Sequence, residues 1–305
     1  MRKTELSPPE RRSDERSRKG AESHANRRQA EVQGFSWAAD WTAPGGVLGD
    51  LTNAAFQRAE SVRPQLRNLR AAACDMPLPL SLAAALRGAF VSVIAEVKRA
   101  SPSKGAIAPG LDAITRAAEY VAGGAAAISV LTEPSRFGGS LSDLRDVALR
   151  VSVPTIRKDF IVDAVQLWEA RAAGAAAALL IVRALSPDLL PRLVQAATEC
   201  GLEAIVEVRD LWELERAVNA NALVIGVNNR NLETLVIDPS TAPSVIPSIP
   251  RDRIAVAESG MREPADVQLS AQAGCDAILV GGAVSAAASG EDAVRALCCI
   301  PRSPR

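Results

Sequence analysis

The sequence predicts an α/β fold, a (β/α)8 or TIM barrel, and three observations carry that expectation. Eight short apolar, β-rich runs recur along the 305 residues. Ala/Leu-rich segments with helical spacing lie between them. The repeat fills about 215 residues, close to what eight strand–helix units need. An open doubly wound sheet shares the alternation, but no GxGxxG follows the first run to suggest a dinucleotide site.

Residues 1–34 hold nine Lys/Arg and six Asp/Glu and almost no large apolar side chain. Such a segment cannot bury enough surface to offset its chain entropy, so a disordered charged tail is expected. Residues 35–90 read as an N-terminal helical extension capping one end of the barrel. Leu48, Leu51, Ala55, Phe56 and Val62 recur at helical spacing between Val47 and Cys74, with Pro64 placed to split the helix. After a proline-containing break, Ser81 reads as the N-cap of a short helix through Leu86. The barrel is expected over 91–300, with strands at 91–98, 127–132, 153–157, 177–182, 203–208, 223–228, 254–258 and 276–281. Helical spacing appears at 111–123, 163–174, 187–200, 211–219 and 264–273.

Composition excludes several function classes. Lys plus Arg equals Asp plus Glu at 35 each, so no cationic surplus points to nucleic acid or a membrane surface. The apolar run AAAALLIV at 175–182 is far shorter than a bilayer span, and the charged start MRKTELSPPERR has no secretory h-region. A cytoplasmic location is therefore expected. Five cysteines form no CxxC pair, and the single histidine, His24, lies in the polar tail. These counts point away from a metal site and from histidine-dependent hydrolase chemistry. The one tyrosine, Tyr120, falls in an expected helix, so lysines and carboxylates lead as acid–base groups.

In a barrel, function collects where the strands end. Strand 1 ends Glu96-Val97-Lys98, with both charged residues on one face, and runs into RASPSKG. Strand 3 ends Arg157-Lys158-Asp159-Phe160, and strand 5 carries Glu207 between two valines. Strand 6 leads into Asn228-Asn229-Arg230-Asn231-Leu232, strand 7 into Glu258-Ser259-Gly260, and strand 8 into Gly281-Gly282. Lysines and glutamates brought to one rim shift each other's proton affinity and can divide acid and base roles. Gly260, Gly281 and Gly282 let backbone N–H groups approach an anion, with Lys98 or Lys104 adding charge. Phe137, Phe160 and Leu232 follow strands at the same rim and suit an apolar ring.

At these residues the sequence resembles the indole-3-glycerol-phosphate synthase family. VIAEVKRASPSKG (93–105), AISVLTE (127–133), RKDFIVDAVQLWEARAAGA (157–175), IVEV (205–208), IGVNNRNLETL (225–235) and AESG (257–260) carry the resemblance, in order, over 46–297. It implies a cofactor-free enzyme of tryptophan biosynthesis with a small phosphorylated substrate, and other enzymes of that pathway as candidate partners. The reaction implied is closure of the indole ring of 1-(2-carboxyphenylamino)-1-deoxyribulose 5-phosphate, with loss of carbon dioxide and water. Lys158 then resembles the general acid of ring closure and Glu207 the carboxylate of later proton transfer. Lys98 resembles the lysine of the dehydration, placed by Glu96. Asn228 and Glu258 resemble residues that orient substrate hydroxyls and the lysines. Ser101 and Arg230 match contacts for the substrate carboxylate, and Ser259, Gly260, Gly281 and Gly282 the phosphate end. Phe137, Phe160, Leu179, Leu232 and Leu279 match the apolar wall. There are departures: Arg183 follows strand 4 where relatives often carry an apolar or small residue, and GGAVSAAASGEDA follows strand 8 where many have Glu or Ser after the first glycine. A second phosphate-binding barrel of the same pathway, phosphoribosylanthranilate isomerase, would need a Cys/Asp pair at strand ends, and no cysteine falls at one.

Overall fold

The computed structural model describes residues 41–305; the charged tail, 1–34, and the first residues of the expected extension lie outside them. Eight parallel strands close into a barrel: β1 (Ser92–Val97), β2 (Ala127–Leu131), β3 (Thr155–Lys158), β4 (Ala177–Ile181), β5 (Glu203–Val208), β6 (Val224–Asn228), β7 (Ile254–Glu258) and β8 (Ala277–Val280). Each strand pairs with its sequence neighbours, and β1 pairs with β8 to close the ring. The expected strands are all present; β5 and β7 keep their expected bounds, and the ends of the others move by one or two residues. The third begins after Pro154, which has no N–H to give to the ladder, and includes Lys158.

The extension divides where Pro64 predicts. Helix α1 (Gly46–Val62) passes through one 3-10 turn, Arg63–Gln65, into α2 (Leu66–Asp75). Leu48, Leu51, Ala55 and Ala59 form a buried stripe on α1. This helix lies at the C-terminal mouth of the barrel, where Arg58 Nη2 donates to Asp159 Oδ1 at 2.9 Å. Helix α2 runs beside the helix after β3, with Arg70 stacked 5.1 Å from the Trp168 ring centre. Ser81 caps α3 (Leu82–Ala85) by accepting from the Ala84 amide at 3.1 Å, as expected. The same hydroxyl donates to Glu203 Oε1 at 2.7 Å, at the start of β5, so α3 sits at the opposite end of the barrel. The extension thus spans the barrel from mouth to base.

Two short helical pieces after β2, Pro134–Phe137 and Leu141–Ala148, and one after β6, Thr241–Val245, were not expected from periodicity. Glu133 caps the first through three amides, and proline starts it, so capping rather than an apolar stripe defines it. Among the described residues no helix is long and apolar enough to cross a membrane.

A buried carboxylate on the outer layer gives a stability signature. Glu213, near the start of the helix Leu211–Asn219, accepts from the Arg209 amide at 2.7 Å. Burial, reinforced by Asp210, pushes its carboxyl up to about 7 from 4.5. The folded state therefore holds this proton more tightly than the unfolded chain. The contribution is complete below the unfolded value and is lost as pH rises through the folded one. Glu213→Gln keeps the acceptor but cannot ionise. Its stability relative to the parent is expected to improve by about 2–3 kcal/mol between pH 5 and pH 8. Urea unfolding at both pH values checks this, and an equal difference at the two would refute it.

Candidate active site

One side chain from each odd-numbered strand points into the mouth: Glu96 from β1, Lys158 from β3, Glu207 from β5 and Glu258 from β7. Barrel interiors fill in layers drawn from alternate strands, normally with branched apolar residues. Here the layer is charged, three carboxylates around one ammonium. Lys158 Nζ donates to Glu207 Oε2 and to Glu258 Oε2, both at 3.0 Å. Asn228 Nδ2 donates to Glu207 Oε1 at 2.9 Å, which fixes that carboxylate's plane. Lys98 Nζ pairs with Glu96 Oε1. Glu96, Glu207, Asn228 and Glu258 are all buried.

Burial by itself works to lower the proton affinity of Lys158. The carboxylates of Glu207 and Glu258, with Glu96 behind them, outweigh it and raise the pKa, so the group stays ammonium. Glu258 moves the other way from an ordinary carboxylate. Burial raises its pKa against the pull of Lys158, and Glu207 adds to the rise. Glu258 Oε1 is buried against Gly226 and has no hydrogen-bond partner among the described residues. Tyr120 is no competing acid: burial pushes it up to about 12, and its hydroxyl contacts Ser285 Oγ at 3.2 Å.

Two glycines make room for this layer. A Cβ on Gly226, in β6, would stand 2.1 Å from Glu258 Oε1. One on Gly281, after β8, would stand 2.3 Å from Glu96 Oε1 and 2.7 Å from Lys98 Nζ. Sequence reading took Gly281 only as an opening for backbone donors. The structure adds a second reason: the space a Cβ would take holds the Glu96–Lys98 pair. Gly226 was missed, because a lone glycine inside a strand reads as a weak point and nothing local says what fills its space.

All the residues picked from the sequence line one cavity of about 520 Å³. Lys98, Glu96, Lys158, Glu207, Asn228 and Glu258 form its floor. Phe137 and Phe160 approach with ring centres 6.2 Å apart, and Leu179, Leu232 and Leu279 complete an apolar wall. Arg230 is fixed by its Nη1 donating to the Leu235 carbonyl at 2.8 Å. Asn228 touches Glu207 and the Arg230 amide, so its contacts are with a carboxylate and a loop, not with the lysines as expected. At the far side, Ser259 (φ +64°) and Gly260 (φ +89°) turn the backbone through the left-handed region. Gly282 opens a short helix there, and the place of a Cβ on it lies 3.9 Å from Lys104 Nζ. Ser101 lines the first loop, in a two-stranded ribbon with Gly105–Ala106. Sequence reading missed Val47 and Leu51 of α1, which line the cavity from above, and Asp159, which ties α1 to β3.

The family model described as indole-3-glycerol phosphate synthase matches residues 53–297. A protein of that name from Streptomyces griseus is 51% identical over 236 residues, covering 77% of this chain and 86% of the relative. Indole-3-glycerol phosphate synthase 1 of Streptomyces coelicolor is 58% identical over 198 residues, 65% of this chain and 74% of the relative. Among solved structures, 3-hexulose-6-phosphate synthase from Salmonella typhimurium superposes with a TM-score of 0.56 at 15% identity, over 68% of this chain and 96% of that one. That likeness speaks to the fold alone. Fold, site and relatives together define a barrel enzyme of the carboxy-lyase class. The chain belongs to the indole-3-glycerol phosphate synthase family, of tryptophan biosynthesis.

Proposed function

We propose that the chain converts 1-(2-carboxyphenylamino)-1-deoxyribulose 5-phosphate to indole-3-glycerol phosphate, carbon dioxide and water. The observation that carries the reading is the charged layer, three buried carboxylates around Lys158 with Lys98 paired to Glu96 beside it, at the floor of a cavity with an apolar wall. Family membership supplies the substrate; the layer supplies acids and bases where its reacting atoms would lie.

In ring closure, the aryl carbon bearing the carboxylate attacks the ketone carbon, and the ketone oxygen takes up negative charge and then a proton. Lys158 is assigned to that oxygen. Its raised pKa makes it a fixed positive charge first and a proton donor second. Loss of carbon dioxide returns the electron pair to the ring. The new hydroxyl then leaves as water while the neighbouring methylene carbon loses a proton. Lys98 is assigned to the departing hydroxyl, with Glu96 holding the ammonium in place, and Glu207 to the proton. Glu258 and Asn228, both lining the cavity, are assigned to substrate hydroxyls. Arg230 and Ser101 are assigned to the substrate carboxylate, and Ser259, Gly260, Gly281, Gly282 and Lys104 to the phosphate. The scheme uses no metal and no organic cofactor.

The test is direct. Purified protein incubated with this substrate is expected to develop indole fluorescence with release of one carbon dioxide per product. Folded protein that leaves saturating substrate unchanged would overturn the reading.

A further inference from the structure

Arg183 sits among partners that give it a task. It follows β4 and donates from Nη2 to Glu233 Oε1 at 3.0 Å and from Nε to Glu233 Oε2 at 3.3 Å. Its Nη1 donates to the Thr42 carbonyl at 2.7 Å, just ahead of α1. Glu233 lies in the loop after β6 and answers the same segment: its Oε1 accepts from the Gly45 amide at 2.8 Å. The Glu233 carbonyl accepts from the Val47 amide at 3.4 Å. Gly46 (φ +56°) fits only as glycine, since a Cβ there would stand 2.4 Å from the Glu233 carbonyl oxygen. Three separate pieces of chain therefore meet at one fork-to-carboxylate pair.

Two of those pieces wall the cavity. Val47 and Leu51 come from α1, and Arg230 and Leu232 from the loop that carries Glu233. Neither Arg183 nor Glu233 lines that cavity. Both border a smaller cavity, about 140 Å³, that also touches Glu207 and Asn228. We infer that Arg183 and Glu233 are positioning residues: their pair latches the start of α1 onto the loop after β6, and so forms the upper apolar wall against which the substrate ring binds. The assignment of a ring to that wall rests on the proposed function; the latch does not.

The variants are Arg183→Met, which keeps bulk but loses the fork, Glu233→Ala, and the double variant. Wall formation is a binding event common to ground state and transition state, so KM should rise about tenfold while kcat stays within about twofold. In the double variant the effects should not multiply, because either change alone opens the latch. Hydrogen exchange supplies a readout that needs no substrate. The Gly45 and Val47 amides should exchange at least tenfold faster in Glu233→Ala, and faster in Arg183→Met, with the β-strand amides unchanged. If the parent protein does not turn over the substrate, the proposed function fails, and exchange alone decides the latch. Unchanged exchange at Gly45 and Val47, or a loss confined to kcat, would overturn the latch.

Discussion

Lys158→Met is expected to lower kcat by at least about 10²-fold, the lower end of what one general acid contributes. The ammonium stands between Glu207 and Glu258 at 3.0 Å from each, and the substitution removes both the charge proposed to face the developing oxyanion and its proton. It also leaves two buried carboxylates facing each other without a cation. Breaking a buried pair in this way costs about 3–5 kcal/mol when the remaining charge stays charged. Glu258, whose pKa burial already raises, can escape part of that by taking a proton. The variant should therefore melt closer to the parent at pH 6 than at pH 8. Lys158→Arg should also be poor, because the larger planar guanidinium cannot take the place of the compact ammonium between Glu207 and Glu258. Steady-state kinetics with circular dichroism at both pH values test this. A folded Lys158→Met with near-parental kcat would move the ring-closing role to Lys98.

Gly226→Ala is expected to lose about 10²-fold in kcat from a single methyl group, the size of penalty that a 1 Å misplacement can bring. The new Cβ would stand 2.1 Å from Glu258 Oε1 and 3.1 Å from its Cδ. A surface glutamate would swing aside. Glu258 is buried and its other oxygen is held by Lys158, so it can yield only by giving up that bond. The proposed phosphate end, at Ser259, Gly260, Gly281 and Gly282, lies elsewhere in the cavity, so binding of inorganic phosphate should change little. Parental kcat in this variant would mean that the place of Glu258 has no part in the rate.

The site was legible at the strand ends because a parallel barrel must bring those ends together, whatever the helices do. Glu207 between valines, and Glu96 and Lys98 two apart, announced charged side chains on a face that would otherwise be apolar. The layered arrangement was not legible. It depends on strand register, with Asn228 opposite Glu258 and Ile181 opposite Glu207, and register is set by closure of the whole ring. The stripe of α1 told that one face is buried, but an amphipathic helix does not name its partner. That Val47 and Leu51 share the cavity with the lysines emerges only from the Arg58–Asp159 and Gly45–Glu233 contacts, each joining residues far apart in sequence. The pieces after β2 fell below the helical period because Pro134–Phe137 is one turn long and held by its cap.

Closure of the ring also sets a timetable for the emerging chain. Strand β1 needs two neighbours, and one of them, β8, follows much later: Ser92 lies opposite Ala277, 185 positions on. At about 5–20 residues per second, translation leaves that edge of β1 without its partner for roughly ten to forty seconds. An apolar strand with an open edge is a template for the wrong chain during that interval. The stretch from Ser92 to Val97 is therefore where self-association during synthesis would start, and where a folding helper has the longest opportunity to bind.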